Sequence, residues 1–352
     1  MSAASATLTG VQASPTPLLL ALDGNSLLHR AYHAAATGKL LDRDERPVWA
    51  LKGLMGYVAR AAAHVRPDAV VVGFDCPVES TRKAAYPAYK AHRPEKAADL
   101  AEQIHAAPGL LAAAGIPTVT ATGFEADDVL ASAAATARSG GWRSMLMTSD
   151  RDAFALVDAT TSVLRVRNGG FDQMVIVTPD SLADVYGVRP EQYRDYAALR
   201  GDPSDNLHGV RGFGSAIAAR LLAAFGSVDA AWAAWDRGDR AAVREVVGER
   251  AADHFGRPSA REAVERNRRL MTMHHDLPVP ALDAMRLPFD FAVMRGALRE
   301  RGILLGPSLW ALTGRTPPPE IAGSDGQRVP AQWGAGRKRR RWDPIPGQLA
   351  LF

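Results

Sequence analysis

The chain has 352 residues, 47% of them hydrophobic, a mean hydropathy of −0.12 and a formal net charge of +4. Its single cysteine, Cys76, excludes an internal disulfide framework and a multi-cysteine zinc site. No stretch approaches the ~18 uninterrupted apolar residues of a membrane-spanning helix. The opening MSAASATLTGVQASPTP has neither the basic start nor the apolar run of a secretory signal, so residues 1–16 are read as a disordered tail and the protein as cytoplasmic. Charge is concentrated at the other end. From Gly314 onward there are seven basic and three acidic residues, which leaves the remainder neutral. A neutral body that binds a polyanion must do so through local basic patches.

In chain order, LLLAL (18–22) reads as a buried strand and runs into Asp23; AVVVGF (69–74) reads the same way and runs into Asp75. The segment 81–96, TRKAAYPAYKAHRPEK, follows at once. In it Arg82, Lys83, Lys90, Arg93 and Lys96 are interleaved with Tyr86 and Tyr89. Cations contact phosphates, and a tyrosine face stacked on an unpaired base contributes ~1–3 kcal/mol. The plainer alternative is a solvated surface helix. Pro87 and Pro94 argue for a segment in pieces. A third strand, PTVT (117–120), precedes Glu125-Ala126-Asp127-Asp128, and a fourth, SMLMT (144–148), precedes Asp150 and Asp152. Helical stretches separate these runs, so the expected fold is α/β with a mostly parallel sheet and helices on both faces. Ligands of such sheets bind beyond the carboxyl ends of the strands. Four successive strands therefore deliver acids to one edge.

Gly201-Asp202-Pro203-Ser204-Asp205-Asn206 then leads through Gly209, Gly212 and Gly214 into the helical sequence AIAARLLAAF. Glycines permit tight turns and close backbone approach, and a helix N-terminus offers unpaired N–H groups, which together suit phosphate. Helical sequence continues to about Leu312, followed by a Pro-, Gly- and Arg-rich tail. Each acidic motif has a structural alternative on its own: Asp23-Gly24 as a turn, Glu125–Asp128 as a favourable helix start, Asp150 and Asp152 as caps. Their joint placement at four strand ends is hard to obtain from capping alone. Hard cations such as Mg²⁺ need oxygen ligands, and two of them can clamp the attacking and leaving oxygens of a phosphodiester.

The runs DGNSLLHRAYHA, VVGFD, TRKAAYPAYKAHR, GFEADDVL, TSDRD and GDPSDNLHGVRGFG resemble, in order, the 5′-nuclease domain at the front of bacterial DNA polymerase I and the wider flap-endonuclease family. The resemblance covers about residues 18–288. It implies a PIN-like catalytic core over 17–188 with a helical arch at about 78–100, then a helix-hairpin-helix and helical region over 189–313. It implies a structure-dependent 5′→3′ exonuclease or flap endonuclease that hydrolyses DNA with two or more Mg²⁺ or Mn²⁺ ions. Asp23, Asp75, Glu125, Asp127 and Asp128 match ligands of the tighter ion, and Asp150, Asp152, Asp202 and Asp205 the acids around the second. Arg82, Lys90 and Arg93 match the arch that admits the 5′ strand, with Arg82 and Lys90 as catalytic cations. Lys83, Tyr86 and Tyr89 are further DNA contacts. Gly209, Gly212 and Gly214 match the duplex-binding hairpin, which in relatives often holds K⁺. There are departures: Thr81 for an aromatic residue, Ser149 for glycine, His208 for proline and Ala216 for lysine. All nine acids are present.

The tail 314–352 is expected to be flexible. It ends Gln348-Leu349-Ala350-Leu351-Phe352 and resembles the pentapeptide by which bacterial replication and repair proteins dock on the sliding clamp, the β subunit. A tethered motif of this kind raises effective concentration at DNA. The expected partners are DNA with 5′ flaps, nicks or single-stranded 5′ ends, and the clamp. The chain is expected to act as a monomer at the nucleoid. Three rival readings stand beside this one: a PIN-type ribonuclease, which lacks the glycine hairpin and the arch; a non-catalytic junction-binding protein that recruits the clamp, which would lack acids; and a metal-dependent phosphatase on small substrates, which leaves the hairpin and the arch unexplained.

Overall fold

The computed structural model of the chain describes residues 16–34, 40–167, 170–317, 320–322 and 328–330. Six strands form one sheet: β1 (Leu18–Asp23), β2 (Ala69–Phe74), β3 (Thr118–Thr120), β4 (Arg143–Thr148), β5 (Thr161–Arg167) and β6 (Gly170–Val177), in the order β3-β2-β1-β4-β5-β6. Neighbours are parallel except β6, which is antiparallel to β5 at the edge. The four strands expected from apolar runs are all present. β5 and β6 lie outside that expectation, because β5 interleaves Arg165 and Arg167 with its valines and so does not read as a continuous apolar run.

Side chains alternate across a strand, and the sheet uses both faces. Leu19 and Ala21 of β1, with Ala69 and Val71 of β2, enter one core, while Leu20, Leu22, Val70 and Val72 enter the other. The second face is covered by α1 (Gly24–Ala34), α2 (Trp49–Val65) and, beyond the short α3 (Thr81–Ala85), α4 (Ala98–Ala113). The first is covered by α5 (Ala126–Ser139), whose Leu130, Ala133, Ala134 and Ala137 face it. This is why both strands read as uninterrupted apolar sequence.

The first core continues into the helical region: α6 (Pro179–Tyr186), α7 (Tyr193–Arg200), α8 (Ser215–Phe225), α9 (Val228–Asp236), α10 (Arg240–Val247), α11 (Glu249–Phe255) and α12 (Pro258–Met271). Phe154, Tyr186, Tyr193 and Tyr196 form an aromatic group at the junction, with ring centroids 5.4–6.2 Å apart. The chain then returns to the sheet. Leu287 N–H donates to the Asp68 carbonyl (2.9 Å), and α13 (Phe291–Glu300) places Met294 and Leu298 in the second core. Among the described residues, no single helix is long and apolar enough to cross a membrane.

From β1 the strand order runs through β2 to β3 on one side and through β4 to β5 on the other. The order reverses between β1 and β4, and ligands of open α/β sheets bind beyond the carboxyl ends of the strands at such a point.

Candidate metal centre

Asp23 is the last residue of β1, Asp75 follows β2 and Asp150 lies two residues beyond β4. Glu125, Asp127 and Asp128 sit at the start of α5, after β3. Small polar side chains position them. Asp23 is buried; its Oδ1 accepts from Ser26 N–H (2.9 Å) and its Oδ2 from the Thr148 hydroxyl (2.9 Å). The same hydroxyl accepts the Asp150 N–H (3.1 Å), so one buried threonine joins two strand ends. Asp75 Oδ1 accepts from Ala126 N–H (2.9 Å), and its own N–H donates to the buried Asn25 (3.1 Å). Asp150 Oδ1 accepts the Asp152 N–H (3.0 Å). Thr148, Ser26 and Asn25 escaped the sequence reading, although each lies inside or beside a quoted motif. Ser149, one of the departures, bonds through its hydroxyl to Ser26.

The acids crowd one another. Burial, then the neighbouring Asp75 and Asp150, push the Asp23 carboxyl up to about 7. Burial and the charges of Asp150 and Asp23 raise Asp127 well above the usual carboxylate range. Burial and Asp150, Asp202 and Asp205 do the same to Asp152. Asp75 is raised by burial and by Glu125, against the opposing Ala126 N–H. Two overlapping groups result, Asp23-Asp75-Asp127 and Asp152-Asp202-Asp205, and Asp150 acts on both. Asp127 Oδ1 is buried with no hydrogen-bond partner. A buried, unpartnered carboxylate oxygen is costly, and an all-oxygen donor set fits a hard divalent cation. Among the described residues, no three His, Cys, Asp or Glu side chains lie close enough together to hold a metal ion by themselves.

The basic segment lies down on these acids. Only Thr81–Ala85 is helical; turns follow, and Lys90 adopts φ of 55°. Lys90 Nζ donates to Glu125 Oε2 (2.8 Å) and lies 3.9 Å from Asp205. Burial works against its charge, but Glu125 and then Asp205 outweigh it and hold the ammonium above its ordinary range. Arg93 donates to Asp205 Oδ1 (2.5 Å) and to the Ser204 carbonyl (3.1 Å). Lys83 is exposed.

Four expectations need correction. Asp128 is fully buried, with both oxygens engaged by a bidentate Arg82 (2.7 and 2.7 Å) and by the N–H groups of Glu125 (3.1 Å) and His274 (2.9 Å). It has no oxygen left to offer a cation. Arg82, buried with it, also donates to the Leu270 carbonyl (2.8 Å), so it is a structural tie and not a mobile cation. Tyr89 is buried with its hydroxyl on Glu125 (3.1 Å), and the Arg266 guanidinium covers a face of Tyr86 at 5.0 Å. Neither ring is open on both sides for a base.

In the glycine hairpin, residues 201–214 connect α7 to α8 through a two-stranded pairing of Gly201-Asp202 with Leu207-His208. Val210 N–H donates to the Leu199 carbonyl (2.8 Å). A Cβ on Gly209 would stand 2.3 Å from that carbonyl oxygen, and one on Gly201 2.3 Å from Gly209 N. Gly212 has φ of +89°, where side chains are strained. Gly214 has open space around it. Asp202 Oδ1 is used by Ser204 N–H and hydroxyl (both 2.7 Å).

Two family matches now decide the identity. Residues 18–187 match the 5′-3′ exonuclease N-terminal resolvase-like domain, and residues 188–289 match the 5′-3′ exonuclease C-terminal SAM fold. The chain belongs to the 5′-3′ exonuclease family. Its members are metal-dependent 5′-3′ exonucleases and flap endonucleases. DNA polymerase I of Mycobacterium bovis is 36% identical over 276 residues, which are 78% of this chain and 29% of that protein. The thermostable DNA polymerase I of Thermus thermophilus is 33% identical over 353 residues, 95% of this chain and 40% of that protein. The chain thus spans well under half the length of these relatives. In fold it resembles the bacteriophage T5 D15 protein co-crystallised with metal ions (TM-score 0.56, 19% identity, 84% of this chain and 94% of that one). It also resembles the catalytic core of Rad2 in complex with DNA substrate (TM-score 0.53, 18% identity, 84% and 92%).

Proposed function

We propose that this chain hydrolyses DNA phosphodiester bonds near a free 5′ end, at flaps, nicks and RNA-primed junctions. The observation that carries the reading is the placement of Asp23, Asp75, Asp127, Asp150 and Asp152 at neighbouring strand ends and the start of α5, by the switch point of the sheet, with the half-buried Lys90 on Glu125. Asp23, Asp75, Glu125 and Asp127 would hold one Mg²⁺ or Mn²⁺, and Asp152, Asp202 and Asp205 a second, with Asp150 between them. Such ions supply charge stabilisation to the attacking and leaving oxygens of the phosphodiester. The chain's own part is placement. Thr148, Ser26 and Asn25 hold the acids, and Lys90 and Arg93 bring positive charge to where the substrate phosphate enters. The hairpin backbone and the N-terminus of α8 take the duplex phosphates, with K⁺ as a candidate ion there.

The partners in this reading are DNA and the sliding clamp. Gln348, Leu349, Leu351 and Phe352, the clamp motif, lie outside the described residues. The protein would work as a monomer in the cytoplasm at the nucleoid. Purified protein should cut 5′-labelled flapped and nicked DNA with Mg²⁺ or Mn²⁺ and not with chelator. Asp150→Asn should lower turnover by at least about 100-fold, the upper end for residues that act only through a ligand, while duplex binding stays near wild type. Unchanged turnover would sink the proposal.

A further inference from the structure

One polar feature is not used by this reading of the cleft. Near the end of α12, Asn267 is fully buried; its amide donates to the carbonyls of Ala198 (3.0 Å) and His208 (3.0 Å). Arg266 donates to the same His208 carbonyl (2.9 Å) and to Asn267 Oδ1 (3.1 Å), while its guanidinium covers Tyr86 at 5.0 Å. Just beyond, the Leu270 carbonyl accepts from Arg82 (2.8 Å), and His274 N–H donates to Asp128 (2.9 Å), the residue that pins the start of α5. The short stretch from Arg266 to His274 therefore grips the glycine hairpin with one end and the acid-bearing helix with the other. Burying an asparagine is unfavourable unless its hydrogen bonds are made. An apolar residue would fill the same space without fixing the two carbonyls.

We propose that the end of α12 is a spacer that sets which phosphodiester is cut, counted from where the duplex begins. Arg266 and Asn267 are positioning residues that act through the His208 carbonyl. The inference rests on the nuclease reading above. If the hairpin holds duplex phosphates and the acids hold the scissile one, their separation selects the bond, because successive phosphates of a duplex strand are offset by about 3.4 Å along the helix axis. A misplacement of about 1 Å at the reacting centre can lower the rate by about 100-fold, so a loosened spacer both slows the correct cut and admits neighbouring ones.

The test is product length. The full chain and its variants are incubated with Mg²⁺ and an end-labelled 5′-flap substrate, and products are sized to single nucleotides. Wild type should give one dominant length. Arg266→Met and Asn267→Ala should spread the products over adjacent bonds, the dominant product falling several-fold in share. Arg266→Lys keeps a donor for His208 and a cation over Tyr86, so it should restore the single length. If both variants yield only the wild-type length, at whatever rate, their role is structural and the spacer is overturned. If wild type cuts at no fixed distance from the duplex, the spacer fails and the nuclease reading survives. If wild type does not cut with any divalent ion, both fail together.

Discussion

Arg82 and Asp128 show how a residue type alone misleads. An arginine in a basic segment interleaved with tyrosines reads as a phosphate contact, and an acid in Glu-Ala-Asp-Asp reads as a ligand. Here the two neutralise one another out of solvent, with 10% of the Arg82 side chain and none of Asp128 exposed. Breaking a buried pair by removing one partner typically costs 3–5 kcal/mol, because the remaining charge is left uncompensated. Arg82→Met should therefore lower stability by about that much, read as the urea midpoint of the metal-free protein. Arg82→Lys should recover only part of it, since an ammonium cannot make the bidentate contact. A fall in turnover with an unmoved urea midpoint would instead assign Arg82 to the chemistry. Lys90 is the opposite case. Its ammonium reaches Glu125 and faces Asp205, so it remains at the cleft where its spacing after Asp75 suggested.

Among the elements, the hairpin is the one whose sequence states its geometry most directly, and its glycines are not equivalent. Gly209 is needed because the backbones of residues 199–201 and 207–209 approach within the space a Cβ would fill. Gly209→Ala should destabilise by about 1–3 kcal/mol, as overpacking does, and weaken binding of nicked duplex. Gly214→Ala meets nothing within 4 Å at φ −80° and should stay within about 0.5 kcal/mol of wild type. Thermal unfolding and fluorescence anisotropy with labelled nicked DNA measure both effects. Equal behaviour of the two variants would remove the close-approach account. The basic segment 81–96 behaves otherwise. Its composition leaves a solvated surface segment as the plainer alternative, but Arg82, Tyr89, Lys90 and Arg93 all find carboxylate or carbonyl partners below it, which hold it down.

At the level of the whole molecule, the acid cluster makes stability depend on pH and on cations. Asp23, Asp127 and Asp152 have folded pKa values above their unfolded ones, so the folded state binds more protons than the unfolded state between the two. Stability then falls as pH rises through that window, which for Asp23 runs from 3.8 to about 7. The metal-free protein should lose melting temperature in this range, with these groups contributing in that direction. A cation that binds only the folded, ionised cleft stabilises by mass action. The rise in melting temperature on adding Mg²⁺ should accordingly be larger near pH 8 than near pH 5. Equal rises at both pH values would mean that the cluster is not where the ion binds.

Sequence alone determined the α/β class, the first four strands and the edge at which the acids gather. Continuous apolar runs are the signature of strands buried on both faces, and parallel strands must end together. It also marked the hairpin, because close backbone approach and positive φ admit little besides glycine. Which acids remain available in the cleft and which are spent inside the fold was decided only by tertiary structure. Asp127 and Asp128 are adjacent in sequence, yet one keeps an unpartnered oxygen and the other is consumed by Arg82, Glu125 and His274. His274 lies 146 positions beyond Asp128. No local pattern carries that partnership, nor the one between Asn267 and His208, because both arise where distant segments pack and each buried polar group must find whichever partner the fold provides.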